Sequence, residues 1–280
     1  MSGARPPRLP EYDIRLTPRE RWSLAWRAWR TRLTLRPTDH WARVPREFAA
    51  FRRFVRNQVL CYSPDYFAAV RLSMCADTRR LLAAPAGCVF AFIHHGFFPA
   101  IAFVVKRHFP ALAVTTIGTA PARNLDPRVN PDHDYWKYAF YHQARRCLGQ
   151  RFIFSDEPVS LSLDWLGGGG GLAVAIDVAE EGHARKKRPV AVAGRRLALP
   201  ETATRLARLS RRPVVAASLF HDGERPVLHL GEPFEVRAAG DEAPVLRKLC
   251  DDLFAPYRAF PEQRFFDIIE TFALAADDDR

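Results

Sequence analysis

Cys88-Val-Phe-Ala-Phe-Ile-His-His-Gly96 is an apolar run that ends in two histidines and a glycine. A short continuous apolar run with aromatic and β-branched side chains is typical of a strand that is buried on both faces of a parallel sheet. The two histidines mark the point where the chain leaves the core. We therefore predict a central strand over 88–93, followed by a turn at 94–96.

The segments that follow this strand alternate between helical and strand patterns. Helices are predicted over 97–107, 135–148, 202–210 and 244–254. Strands are predicted over 112–117, 151–154, 172–176, 190–192, 214–219 and 227–230. This alternation indicates an α/β fold, in which helices flank a mixed, largely parallel sheet.

The N-terminal part of the chain has a different character. It begins as a loose arm and then predicts amphipathic helices over 18–36, 45–60 and 64–82. Trp22, Trp26 and Trp29 share one face of the first helix because their spacing follows the helical period. We divide the chain into an N-terminal region, 1–82, and an α/β domain, 83–280, that together form one compact unit.

Charge suggests a partner for this N-terminal region. Residues 1–60 hold 14 arginines against five acidic residues, a surplus that suits an anionic membrane, an acidic carrier protein or nucleic acid. A helix with tryptophans on one face and arginines around them is typical of a membrane interface. It is equally typical of a helix that packs its tryptophans on the domain and leaves its arginines in water.

Composition excludes several classes of protein. The five cysteines include no CxxC pair, so free thiols in a reducing cytosol are favoured over disulfides or zinc ligands. The chain contains neither a dinucleotide fingerprint nor a phosphate-binding loop, so we expect no cofactor and no metal.

The uncharged stretch 81–105 is interrupted by Pro85, Gly87 and Pro99, which argues against a membrane span. No recognised nucleic-acid motif accompanies the net charge of +11, and we expect no nucleic-acid partner.

Two predicted strands are followed by side chains that could take part in catalysis. His94 follows the strand at 88–93, and Asp177 follows the strand at 172–176 after the run Gly167–Gly171. Open α/β sheets place their sites at the carboxyl ends of strands, and histidine can act there as a general base. A histidine bonded to the backbone and an aspartate that caps a turn are the structural alternatives.

Five blocks, taken in order, resemble one family. They are His94-His95-Gly96-Phe97-Phe98-Pro99, Arg145-Arg146-Cys147-Leu148-Gly149, the segment 170–177, the segment 190–207, and Arg212-Pro213-Val214-Val215. Together they resemble the lipid A biosynthesis branch of the lysophospholipid acyltransferase superfamily. The resemblance covers about residues 87–235.

The resemblance implies an acyltransferase that takes a fatty acyl group from acyl carrier protein or coenzyme A. The acceptor would be a hydroxyl or amine at the cytoplasmic face of the membrane. It implies that His94 is the catalytic base and that no metal or cofactor is required. Anionic groups and the acyl chain would be held by Gly96, Phe97, Phe98, Arg145, Arg146, Lys187 and Arg195. The basic residues have an alternative interpretation as a solvated surface, and the oligomeric state stays open.

One departure from the family pattern concerns the catalytic acid. The family pairs its histidine with Asp or Glu five positions on, but here position 99 is Pro99, and counting from His95 leads to Ala100. A misoriented catalytic histidine costs about 10⁴-fold in serine proteases. Asp177 is the favoured replacement because it follows a buried strand that would run parallel to the strand before His94. Other candidates are Asp132, Asp134, Glu180 and Glu181. The alternative is an inactive relative that binds lipid or acyl carrier protein.

The N-terminal helix generates a prediction about membrane binding. We expect the protein to sediment with vesicles that contain anionic lipid, because tryptophans settle at headgroup depth while arginines meet the anionic charge. Deleting residues 1–36 is expected to abolish this binding. Unchanged sedimentation after the deletion would show that the helix packs on the protein instead.

Overall fold

The structure is a computed structural model that describes residues 69–84, 86–118, 153–155, 157–178, 187–192, 194–222, 225–260, 263–264 and 268–274. Nine strands occur within these residues. They are β1 (Arg71–Met74), β2 (Cys88–Phe92), β3 (Val114–Gly118), β4 (Ile153–Phe154), β5 (Gly171–Ala175), β6 (Lys187–Val192), β7 (Arg195–Pro200), β8 (Val214–Asp222) and β9 (Arg225–Leu230).

Six α-helices accompany the strands in the same residues. They are α1 (Ala76–Ala83), α2 (Ile101–His108), α3 (Val159–Gly167), α4 (Thr202–Ser210), α5 (Glu242–Ala259) and α6 (Ile268–Phe272), with short 3-10 turns at Phe98–Ala100 and Ala239–Asp241. Over the described part of the chain, none of the helices combines the length and the apolar character needed to cross a membrane.

Seven strands form one sheet in the order β1-β9-β8-β2-β5-β3-β4. The five strands from β8 to β4 are parallel to one another, whereas β9 is antiparallel to β8 and carries β1 beside it. β6 and β7 form a separate antiparallel ribbon. The predicted α/β class, with a mixed and largely parallel sheet between helices, is confirmed. The helices predicted over 18–36 and 45–60 lie outside the described residues.

β2 is the middle strand of the seven-stranded sheet, and both of its faces are covered. Val89, Ala91 and Ile93 face a core cluster that also contains side chains of α4, α5 and the β6–β7 ribbon. Phe90 and Phe92 face a second cluster, which contains the apolar side chains of α2. Every residue of β2 is buried, which explains why this segment is apolar without alternation.

The structure corrects the helix predicted over 64–82. Residues 71–74 form β1, which pairs with β9, and α1 begins only at Ala76. Leu72 and Met74 pack on the same core cluster as Phe90, so this segment follows a two-residue period rather than a helical one. The sheet therefore includes a strand that precedes the predicted domain boundary at residue 83. Sequence reasoning also missed α3 and the strand β7.

The turn after β2 lies directly against β8. Gly96 has a φ of 61°, and a Cβ at this position would overlap the Leu219 carbonyl oxygen. The next residue, Phe97, donates its backbone N–H to the same oxygen over 2.6 Å. Only glycine fits here, because both the backbone conformation and the close approach exclude a side chain.

Gly96→Ala tests this close approach, with Gly194→Ala as the matched control. Gly194 has a φ of 79°, yet none of the described atoms would lie within 4 Å of a Cβ added there. Gly194→Ala is expected to cost about 1 kcal/mol from backbone conformation alone. Gly96→Ala carries the same cost plus the clash with Leu219, so its loss should be larger by about 1–3 kcal/mol. Urea denaturation measures both losses, and equal values would contradict the close approach of Gly96 to β8.

Candidate active site

Strand register brings His94 and Asp177 level with each other. β2 and β5 are parallel, and Phe92 pairs with Ala175 at their carboxyl ends. Ile176 extends this pairing by donating its N–H to the Phe92 carbonyl over 2.9 Å. His94 and Asp177 each lie two residues beyond the last pair, so side-chain alternation sends both to the same face.

Both carboxylate oxygens of Asp177 contact His94. Oδ1 lies 2.8 Å from the imidazole Nδ1, and Oδ2 accepts the backbone N–H of His94 over 2.7 Å. A carboxylate oxygen accepts hydrogen bonds, so Nδ1 is the donor of this pair, and the corresponding tautomer of a neutral imidazole has its lone pair on Nε2. The predicted contact between His94 and Asp177 is confirmed.

The two partners differ in exposure. The side chain of Asp177 is 0% exposed, while that of His94 is 24% exposed. The carboxylate is thus held below the surface, where it fixes one edge of the ring and the backbone that carries it. The ring itself stays accessible to a reactant.

Aromatic side chains flank the imidazole. The rings of His94 and Phe98 meet edge to face, with centroids 4.4 Å apart. Phe98 in turn stacks on Phe92 at 5.8 Å. These contacts limit rotation of the imidazole and make its surroundings apolar. Phe97, by contrast, is 0% exposed in the core, so of the two predicted phenylalanines it is Phe98 that lies beside the imidazole.

His95 lies on the opposite face from His94. It continues the alternation of Ala91 and Ile93, and its Nε2–H donates to the Phe260 carbonyl over 3.1 Å. Burial lowers its pKa to about 4, and the nearby Arg264 acts in the same direction. Its Nδ1 has no hydrogen-bond partner among the described residues. His95 therefore lies buried behind the turn and is bonded to the backbone of Phe260.

The structure describes two of the four predicted basic residues. Lys187 and Arg195 lie exposed on the β6–β7 ribbon, with the Lys187 ammonium 5.8 Å from the Phe272 ring centroid. The ribbon packs its apolar side chains into the cluster that contains Ile93, whereas His94 continues the other face of β2. Six candidates lie outside the described residues, namely Arg145, Arg146, Asp132, Asp134, Glu180 and Glu181.

Sequence reasoning missed Gln263, which is 4% exposed and lies beside the turn. Its partners include backbone atoms of Gly96, His221 and Phe260. Bonds of this kind leave no pattern of residue types in a sequence, so no motif could have indicated them.

Comparisons with known proteins identify no family. No family model matches the chain, and no curated protein matches it either. Within the described residues, no group of three or more His, Cys, Asp or Glu side chains could hold a metal ion.

The lowered pKa of His95 predicts how stability depends on pH. An unfolded histidine binds a proton below about pH 6.5, whereas folded His95 binds one only below about pH 4,. The unfolded state therefore holds more protons between these values, and stability falls as the pH is lowered through this window. The free energy of unfolding that His95 contributes at pH 7, and that is lost across this window, is about 3 kcal/mol.

His95→Gln removes this titrating ring. We expect the free energy of unfolding, measured by urea between pH 4 and pH 7, to depend less on pH in the variant. His221, whose pKa burial also lowers, contributes in the same direction and leaves a residual slope. An unchanged slope would show that His95 is not buried as a neutral ring.

Proposed function

We propose that this protein is an acyltransferase that moves a fatty acyl group from an acyl thioester to a hydroxyl or amine at the cytoplasmic face of a membrane. The observation that carries the proposal is the two-point contact between Asp177 and His94. It supplies an oriented imidazole at the carboxyl end of a parallel sheet, where α/β enzymes place their chemistry.

The proposed reaction uses Nε2 of His94, the ring nitrogen that does not face Asp177. Nε2 of His94 takes the proton from the acceptor as the acceptor oxygen or nitrogen attacks the thioester carbonyl carbon. The tetrahedral intermediate collapses, the carbon–sulfur bond breaks, and the leaving thiolate takes the proton back from His94. Asp177 stabilises the imidazolium that exists between these two transfers.

The carboxylate comes from a different part of the chain than the resemblance leads one to expect. Position 99 is a proline, and the carboxylate beside His94 belongs to Asp177, which follows β5. The orienting group is thus supplied from across the sheet, which favours an enzyme over an inactive relative that only binds lipid or acyl carrier protein. A protein that only binds could use this contact to hold the turn, but it would gain nothing from the tautomer that the contact selects.

The surroundings of the ring suit an acyl chain. Phe98 lies against the imidazole, and Phe154 and Ala175 pack partly buried on the same core cluster. Each methylene that such a surface buries contributes about 0.8 kcal/mol. Arg145 and Arg146 would hold anionic groups of the donor, acyl carrier protein or coenzyme A, or of the acceptor. Lys187 and Arg195 lie on the ribbon that packs against the other face of β2, so this assignment leaves them out.

Thiol release from acyl coenzyme A and acyl carrier protein tests the proposal, with a bacterial lipid extract as the source of acceptor. His94→Ala is expected to lower the rate by at least about 10²-fold, because the base is lost. Asp177→Asn is expected to lower it by up to about 10⁴-fold, because the amide cannot accept both bonds from His94. His95→Gln is the neighbouring control and should retain activity.

Two outcomes would contradict this assignment. Activity that survives in His94→Ala but disappears in His95→Gln would show that the wrong histidine was chosen. Saturable binding of the thioester without any thiol release by the unmodified protein would favour the inactive, lipid- or carrier-binding alternative.

A further inference from the structure

Gln263 joins the turn after β2 to the end of β8. Its backbone carbonyl accepts the N–H of Gly96 over 2.9 Å. Its side-chain oxygen accepts the N–H of His221 over 2.9 Å, and its side-chain nitrogen donates to the His221 carbonyl over 2.7 Å. The side-chain amide therefore pairs with β8 as another strand would, and the backbone of the same residue reaches the turn.

The turn that carries His94 is held from two sides. On the side of β5, Asp177 accepts the backbone N–H and the ring Nδ1 of His94. On the side of β8, the Leu219 carbonyl accepts the N–H of Phe97. Gly96 lies between these two anchors and is buried, and its N–H is satisfied by Gln263. A buried N–H without an acceptor is costly, so the turn would move if Gln263 withdrew.

Neighbouring contacts hold the residues on either side of Gln263, while the side-chain amide pairs Gln263 itself with β8. The Phe260 carbonyl accepts Nε2–H of His95, and the Phe260 ring stacks on Phe220 of β8 at 5.2 Å. Arg264 donates from Nε to the Tyr257 carbonyl over 3.1 Å, and its guanidinium lies 4.2 Å from the Tyr257 ring centroid. Residues on both sides of Gln263 are thus attached to α5, to β8 or to the turn.

We propose that Gln263 is a positioning residue that aligns His94 with Asp177. It acts through its backbone bond to the N–H of Gly96. Asp177 is placed by β5, whereas His94 is placed by the turn, so a shift of the turn changes the separation between Nδ1 and Oδ1. The catalytic consequence rests on the proposed acyltransferase function, but the effect on the His94–Asp177 contact does not.

Gln263→Met tests the proposal, because methionine keeps the length of the side chain and removes both bonds to His221. The first readout is the Nδ1–H resonance of His94 in protein with isotope-labelled histidine, assigned by its loss in His94→Ala. We expect Gln263→Met to broaden or shift this resonance. The second readout is thiol release, where kcat should fall about 10- to 100-fold, as expected for a misplacement near 1 Å. KM should change by less than about twofold, since the substrate-binding surface is intact.

Thr78→Val is the matched control. Thr78 is 0% exposed and donates its hydroxyl to the Gly231 carbonyl over 2.7 Å, so the variant also loses a buried side-chain bond to backbone. It is expected to lose stability comparably while keeping the resonance and kcat.

If Gln263→Met does not fold, Gln263→Glu serves in its place, because it retains the acceptor for the His221 N–H and loses the donor.

The outcomes separate the two proposals. An unchanged resonance in the Gln263 variant that folds would overturn the positioning role, as would an equal change in Thr78→Val. A shifted resonance in a protein that releases no thiol would support the positioning role while contradicting the acyltransferase function.

Discussion

The parallel pairing of β2 with β5 is the constraint on which the site depends. Its register places Phe92 opposite Ala175. The same register determines that His94 and Asp177, two residues further on, lie level with each other. A slip of one residue would send either His94 or Asp177 to the other face of the sheet. The apolar side chains of β2 prevent such a slip, because both faces of the strand pack into closed core clusters. Packing that looks purely structural therefore determines the position of the two polar groups.

Electrostatics explains why these two groups stay together. A buried carboxylate is costly to remove from water unless hydrogen bonds and charge compensate for it. Asp177 receives two hydrogen bonds from one residue, one from the ring and one from the backbone of His94. Its carboxylate thus serves the fold as a cap for the end of β2 and serves the imidazole as an acceptor. The same interaction that stabilises the turn also selects the tautomer.

The sequence predicted the parts of this arrangement that depend on local pattern. The apolar run over 88–93 identified the central strand, and the position of Asp177 after a second apolar run placed it at the same edge. The helix predicted over 64–82 misses β1 because four residues are too short for a two-residue period to stand out, and the pairing with β9, with Arg71 opposite Val227, comes from distant sequence. Gln263 was missed because its role depends on backbone partners. Arg145 and Arg146 were chosen by resemblance, and the structure does not describe them.

The separation of His94 from Asp177 along the chain has a consequence for folding. The two residues are 83 positions apart, so their contact forms only after a long segment of chain has been closed. During synthesis His94 emerges well before Asp177, and β2 gains both of its neighbouring strands only after β5 and β8 have been made. The paired imidazole is therefore a property of the finished sheet, and a nascent or partly unfolded chain does not possess it.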